Sequence, residues 1–182
     1  MQRKTAADFD QELLILFDAY VHGGIDRRGF LERAQKFAVG GVTASMLLAS
    51  LSPNFAAAQV VPKDDKRIRT EMLTYASPNG SGSMKGYLAM PANVTGKLPG
   101  ILVVHENRGL NPHIEDIARR LALDNFIAFA PDALTPLGGY PGDEDKARDA
   151  FAKLDQAKTR EDFLAAAQVL RQRPECTGKY GS

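Results

Sequence analysis

The stretch that most constrains this chain runs from Leu98 to Pro131. It contains Ile101-Leu102-Val103-Val104, a short unbroken apolar run rich in branched side chains. Such a run suits a strand buried on both faces, as in a parallel sheet covered by helices. Polar and reactive residues crowd in behind it: His105, Glu106, Asn107, Arg108, Gly109. From Asn111-Pro112 onward, Ile114, Ile117, Ala118, Leu121 and Ala122 recur at helical spacing. Phe126-Ile127-Ala128-Phe129-Ala130 then reads as a second buried strand that stops at Pro131-Asp132. Strand, helix and strand within about thirty residues form a right-handed crossover. In open sheets of this kind ligands sit beyond the carboxyl ends of the strands. His105 through Arg108 fall there, and so does Asp132.

The surrounding chain fits an α/β sheet with flanking helices. Thr70 to Ala76 and Met84 to Met90 alternate polar and apolar residues around the turn signal Ser77-Pro78-Asn79-Gly80-Ser81-Gly82, which predicts an antiparallel hairpin. Beyond Asp132, Ala133 to Gly142 is a Gly/Pro-rich loop suited to facing a substrate or to plain connection. Asp143-Glu144-Asp145 places acid at a helix start, where the dipole favours it. A further helix is expected to open at Thr159-Arg160-Glu161-Asp162 in a near capping box. Its apolar face would be Phe163, Leu164, Ala167, Val169 and Leu170. Thr177 to Ser182 reads as the entry to another strand.

Composition narrows the function classes. The 182 residues carry 23 Lys plus Arg against 22 Asp plus Glu, so no global field points to nucleic acid. The one cysteine excludes an intramolecular disulfide framework and a zinc finger.

The N-terminus has the order of a leader. Asp26-Arg27-Arg28-Gly29-Phe30-Leu31 resembles the twin-arginine export motif, with Arg27, Arg28, Phe30 and Leu31 as its signal residues. A modestly apolar segment follows from Phe37 to Leu51, and Ala56-Ala57-Ala58 predicts cleavage before Gln59. The apolar segment is too short and too rich in Gly, Ser and Thr to span a membrane comfortably. The competing account is an amphipathic helix over Phe9 to Tyr20 packed on a core, with Arg27-Arg28 as a solvated helix start. The expected organisation is a leader over 1–58, a charged lead-in over 59–69 and an α/β domain over 70–182.

HENRGLNPHIEDIARRLA, followed by FIAFAPDAL and LGGYPGDEDKAR, resembles the dienelactone hydrolase family of α/β-hydrolases. The resemblance implies that Glu106 holds and activates a nucleophile and that the backbone N–H of Asn107 contributes to an oxyanion hole. It also implies a cysteine nucleophile in a Gly-x-Cys-x-Gly elbow on the following strand, completed by an Asp and a His. Residues 1–182 contain neither that elbow nor its serine equivalent. The expectation is therefore an α/β-hydrolase-type sheet truncated before the nucleophile elbow, ester- or lactone-directed by resemblance and inactive alone. The alternative is a non-catalytic exported binding module or a remnant.

Cys176 lacks flanking glycines and is expected to be a plain loop cysteine. Arg108 and His105 are the substrate-binding candidates, Arg108 by orienting an acidic group or by pairing with Glu106. His105 and His113 are expected to shape the site without moving protons. His105, Glu106, His113, Glu115 and Asp116 could suggest a metal, but their spacing is not H-E-x-x-H, so neither metal nor cofactor is expected. The partners implied are a small ester or lactone and, through the leader, the export machinery. A functional leader would place the chain in the periplasm or otherwise outside the cytoplasm; without one the chain would be cytoplasmic.

Overall fold

The computed structural model describes residues 8–52 and 59–182. The chain divides into two compact units, Met1–Asn54 and Phe55–Ser182.

The first unit is helical: α1 Gln11–Val21, α2 Arg27–Ala34 and α3 Ala44–Leu51. Each helix starts on a polar side chain that accepts from an orphan N–H. Asp10 accepts from Glu12, Asp26 from Gly29 and Thr43 from Met46. Phe30 is fully buried, with its ring 5.6 Å from Tyr20 and 6.3 Å from Phe17. Leu13, Ala34 and Leu48 close the same core. Arg27 and Arg28 stand exposed at the start of α2, and Arg28 Nε donates to Glu32 at 2.9 Å. Phe30 thus has a packing role, and Asp26 caps a helix. The expected cleavage residues Ala56–Ala58 lie outside the described residues. No described helix is long and apolar enough to cross a membrane.

The second unit is a five-stranded mixed sheet in the order β1-β2-β4-β3-β5. Its strands are β1 Ile68–Ser77, β2 Gly82–Pro91, β3 Leu98–Leu102, β4 Ile127–Pro131 and β5 Cys176–Gly181. β1 and β2 form the expected hairpin, in register from Ile68 opposite Pro91 to Ser77 opposite Gly82. β2 meets β4 antiparallel, while β3 runs parallel to both β4 and β5. The crossover helix is α4 Pro112–Leu123; α5 Glu144–Phe151 and α6 Gln156–Gln172 follow β4.

Alternation along the strands assigns one face to each helix. Met84, Leu88, Met90, Ile127 and Phe129 pack with Ala166, Ala167 and Leu170 of α6. Ala89, Ala128 and Ala130 meet Ala118 and Ala122 of α4. Gly100 serves the α6 side, since a Cβ there would sit 2.9 Å from the Leu170 side chain.

Four expectations need correction. The central strand is Leu98–Leu102 and not Ile101–Val104, because β5 pairs from Leu98 and the chain leaves the sheet soon after Leu102. Val103 N–H still donates to the Phe129 carbonyl, but Val104 is 55% exposed. The apolar run marks the buried end of the strand and not its whole length. The last helix begins at Gln156, capped by Asp155, which accepts from Ala157 and Lys158. Asp162 is buried and accepts from the N–H and hydroxyl of Ser81, at 2.8 and 2.7 Å. It fastens the hairpin turn and caps nothing. Leu164 is 48% exposed and lies off the buried face of α6. Cys176 is no loop residue: it opens β5 opposite Leu98 and is buried in the α6-side core.

Candidate functional site

The site is assembled where the chain leaves β3. His105 is buried, with Nδ1 2.6 Å from the carbonyl of Glu106 and Nε2 accepting from the N–H of Ala133 at 3.0 Å. A neutral ring protonated on Nδ1 satisfies both contacts. Burial pushes its pKa below the usual histidine value, against smaller raising effects from the Glu106 carbonyl and Asp132. Its edges meet the rings of Phe163 and Phe151 at 5.8 and 6.1 Å. With both nitrogens used by backbone, the ring braces the ends of β3 and β4 together. That geometry leaves it no donor for a substrate.

The turn it supports carries the two residues singled out by resemblance. Glu106 and Asn107 are exposed. Among the described residues the Glu106 carboxylate has no hydrogen-bond or ion-pair partner, and the Asn107 N–H has no acceptor. Gly109 closes the turn at φ 70°, and a Cβ there would lie 2.5 Å from a Leu134 methyl. Only glycine meets both demands without strain.

Arg108 turns away from Glu106. Its Nη1 lies 3.5 Å from a Glu144 oxygen, and its Nε donates to the Asn107 side chain at 3.3 Å. Of the two roles expected for Arg108, pairing with Glu106 is not the contact formed. The other Glu144 oxygen accepts from the Tyr140 hydroxyl at 2.8 Å and from Asn111 Nδ2 at 3.3 Å. Burial, reinforced by the Glu144 carboxylate, raises the Tyr140 pKa well above the ordinary phenol range. Asn111 also caps α4, its Oδ1 accepting from Ile114 N–H at 3.1 Å. The Gly/Pro-rich loop is therefore tied to the turn after β3.

Asp132 lies at the neighbouring strand end, as expected, but its work is local. Oδ1 accepts from Leu134 N–H at 3.0 Å, and its carbonyl accepts from the Thr135 hydroxyl at 2.7 Å. The residues considered for a metal disperse. Asp116 is buried and accepts from the N–H groups of Val60 and Val61, while Glu115 pairs with Lys63 at 2.6 Å. Among the described residues no three metal-ligating side chains gather.

Sequence reading missed Glu144 and Tyr140, and it weighed Asp116 as a possible metal ligand. The signal available for Glu144 was redundancy: Asp143 already caps α5, accepting from Lys146 N–H at 2.9 Å.

A family model described as the dienelactone hydrolase family matches residues 84–182, and one described as YqhI-like matches residues 1–39. An Escherichia coli K12 protein named as a hydrolase fragment, YghX, is 52% identical over 114 residues, covering 63% of this chain and 97% of that one. A Synechocystis protein named as a carboxymethylenebutenolidase is 32% identical, over 63% of this chain and 49% of its own length. Among solved structures, a Klebsiella pneumoniae protein described as a dienelactone hydrolase aligns with a TM-score of 0.52 at 26% identity, over 62% of this chain and 48% of that one. The chain thus spans nearly the whole of the E. coli fragment and about half of the other two.

Proposed function

Because the chain belongs to the dienelactone hydrolase family, we propose that residues 1–182 carry the Glu106–Asn107 side of an acyl-transfer site for small esters or lactones. One observation carries this reading. Beyond the carboxyl end of β3, a carboxylate and a backbone N–H stand side by side in the chain, exposed and uncommitted among the described residues. Glu106 would hold and activate an attacking thiol, and the Asn107 N–H would receive the developing oxyanion.

Acyl transfer also needs the nucleophile itself, beside a base. Cys176 does not supply it. It pairs with Leu98, at the amino ends of the parallel strands, whereas Glu106 follows their carboxyl ends. The 182 residues alone are therefore proposed to bind without turning over. Incubating the full chain with an activated ester should give hydrolysis at the buffer rate and no acyl adduct by mass spectrometry. Turnover that Cys176→Ala abolishes would overturn the proposal.

We propose further that residues 1–58 act as an export leader read through Arg27-Arg28. The exposure of both arginines supports this, while the burial of Phe30 gives the same stretch a second account as part of a folded helical unit. Cell fractionation separates the two. Export predicts a shorter product outside the cytoplasm that begins near Gln59, and retention of the precursor when both arginines become lysine. Equal processing of both versions discards the leader.

A further inference from the structure

We infer that Glu144 is a positioning residue of the candidate site, holding Arg108, and through Arg108 the turn that bears Asn107, against the loop 132–142. The inference deepens the proposed function, since it takes the Glu106–Asn107 turn as the site. An acid in the first turn of a helix has an ordinary reason to be there, because the dipole favours it. Glu144 does more. Asp143 already caps α5, so the start of the helix has its side-chain acceptor without it.

The Glu144 carboxylate instead joins three segments. One oxygen faces Arg108 Nη1 at 3.5 Å; the other accepts from Tyr140 at 2.8 Å and Asn111 at 3.3 Å. The Arg108 and Glu144 side chains are 19% and 28% exposed, so their pairing is less screened than a surface ion pair. Arg108 Nε then reaches the Asn107 side chain at 3.3 Å. The oxyanion donor of the proposed site thus belongs to a turn gripped on both sides, by His105 from the sheet and by Glu144 from the loop. Tyr140 sits between Gly139, whose N–H donates to the Leu134 carbonyl at 2.9 Å, and Gly142.

The two oxygens make the test specific. In the full 182-residue chain, Glu144→Gln keeps an acceptor for Tyr140 but removes the charge that holds Arg108. Tyr140→Phe does the reverse. Backbone order parameters from nitrogen-15 relaxation should fall in Glu144→Gln at residues 107–109, from about 0.85 toward 0.6, with residues 139–142 unchanged. Tyr140→Phe should loosen 139–142 and leave 107–109 as they were. Glu144→Ala should loosen both. Tyr140, observed through its labelled Cζ carbon, should ionise at lower pH in Glu144→Gln than in the unaltered chain. Rigid 107–109 in Glu144→Ala overturns the inference; so does a uniform loosening that includes β4, which would make Glu144 a general stabiliser. No turnover enters this measurement, so a failed hydrolysis assay and a failed positioning role remain distinguishable.

Discussion

Two groups of charges flank one short segment, and the fold treats them oppositely. On α4, Asp116 and Arg119 are 1% and 0% exposed. Asp116 accepts from Val61 N–H at 2.9 Å; Arg119 donates to the Val61 carbonyl at 2.8 Å and to the Tyr87 hydroxyl at 3.2 Å. Each of these contacts clamps residues 60–61 or the sheet onto the helix. On the turn after β3, Glu106 and Asn107 are exposed, with the carboxylate and the N–H unused among the described residues. Buried charge persists when its polar atoms are paired, and it then serves structure. A carboxylate left uncommitted at the carboxyl end of a parallel strand is free for chemistry. Charge marks both places; only the lack of a committed partner separates them.

The largest test of that contrast is Asp116→Ala. It removes the carboxylate 3.4 Å from the buried Arg119 guanidinium and leaves Glu115, at 3.8 Å, as the remaining anion, so a loss toward the lower end of the about 3–5 kcal/mol for a broken buried pair is expected, which urea unfolding would read directly. A loss under about 1 kcal/mol would place Asp116 with the ordinary surface acids. Gly109→Ala comes next. It forces a side chain into φ 70° and against Leu134, so a loss of about 1–3 kcal/mol is expected, with the Leu134 methyl resonances displaced. An unmoved Leu134 would contradict the packing described for the turn.

The pH response of His105 is smaller and has a definite sign. Its folded pKa lies below the ordinary 6.5 because burial disfavours the charged ring. The unfolded chain therefore binds the proton first as pH falls. The stability from the neutral ring is whole above pH 6.5 and is lost as pH drops through the folded value. The urea midpoint should decline between pH 7 and 5, and His105→Gln should flatten that decline. An identical slope in both proteins would mean that other groups set the pH response. Smallest of all is Glu106→Gln, expected to leave stability within about 0.5 kcal/mol; a larger loss would reveal a structural partner for the carboxylate.

What the sequence disclosed follows from range. The hairpin, the crossover and the start of α4 at Asn111-Pro112 rest on local spacing, and the structure contains all three. The end of β3 did not follow from its apolar run, because its partners on β4 and β5 decide where pairing stops. Glu144 meets Arg108 from 36 positions away, and Asp116 meets Val61 from 55. Arg119 looks like a surface residue in sequence and is the largest fully buried side chain among the described residues. Such pairings leave no periodic trace. Glu106 and Asn107 stood out through resemblance together with their place after a buried strand, and the structure adds that the Glu106 carboxylate and the Asn107 N–H have no partner among the described residues.

The central proposal is that Glu106 supports an acyl-transfer nucleophile drawn from outside residues 1–182. Fusing residues 1–182 to the elbow-bearing remainder of a relative, and comparing kcat/KM for an activated ester with and without Glu106→Gln, tests it most directly. The account predicts hydrolysis in the fusion and a fall of at least about 100-fold on substitution, at unchanged stability. A fusion whose rate stays within about twofold after Glu106→Gln would contradict it.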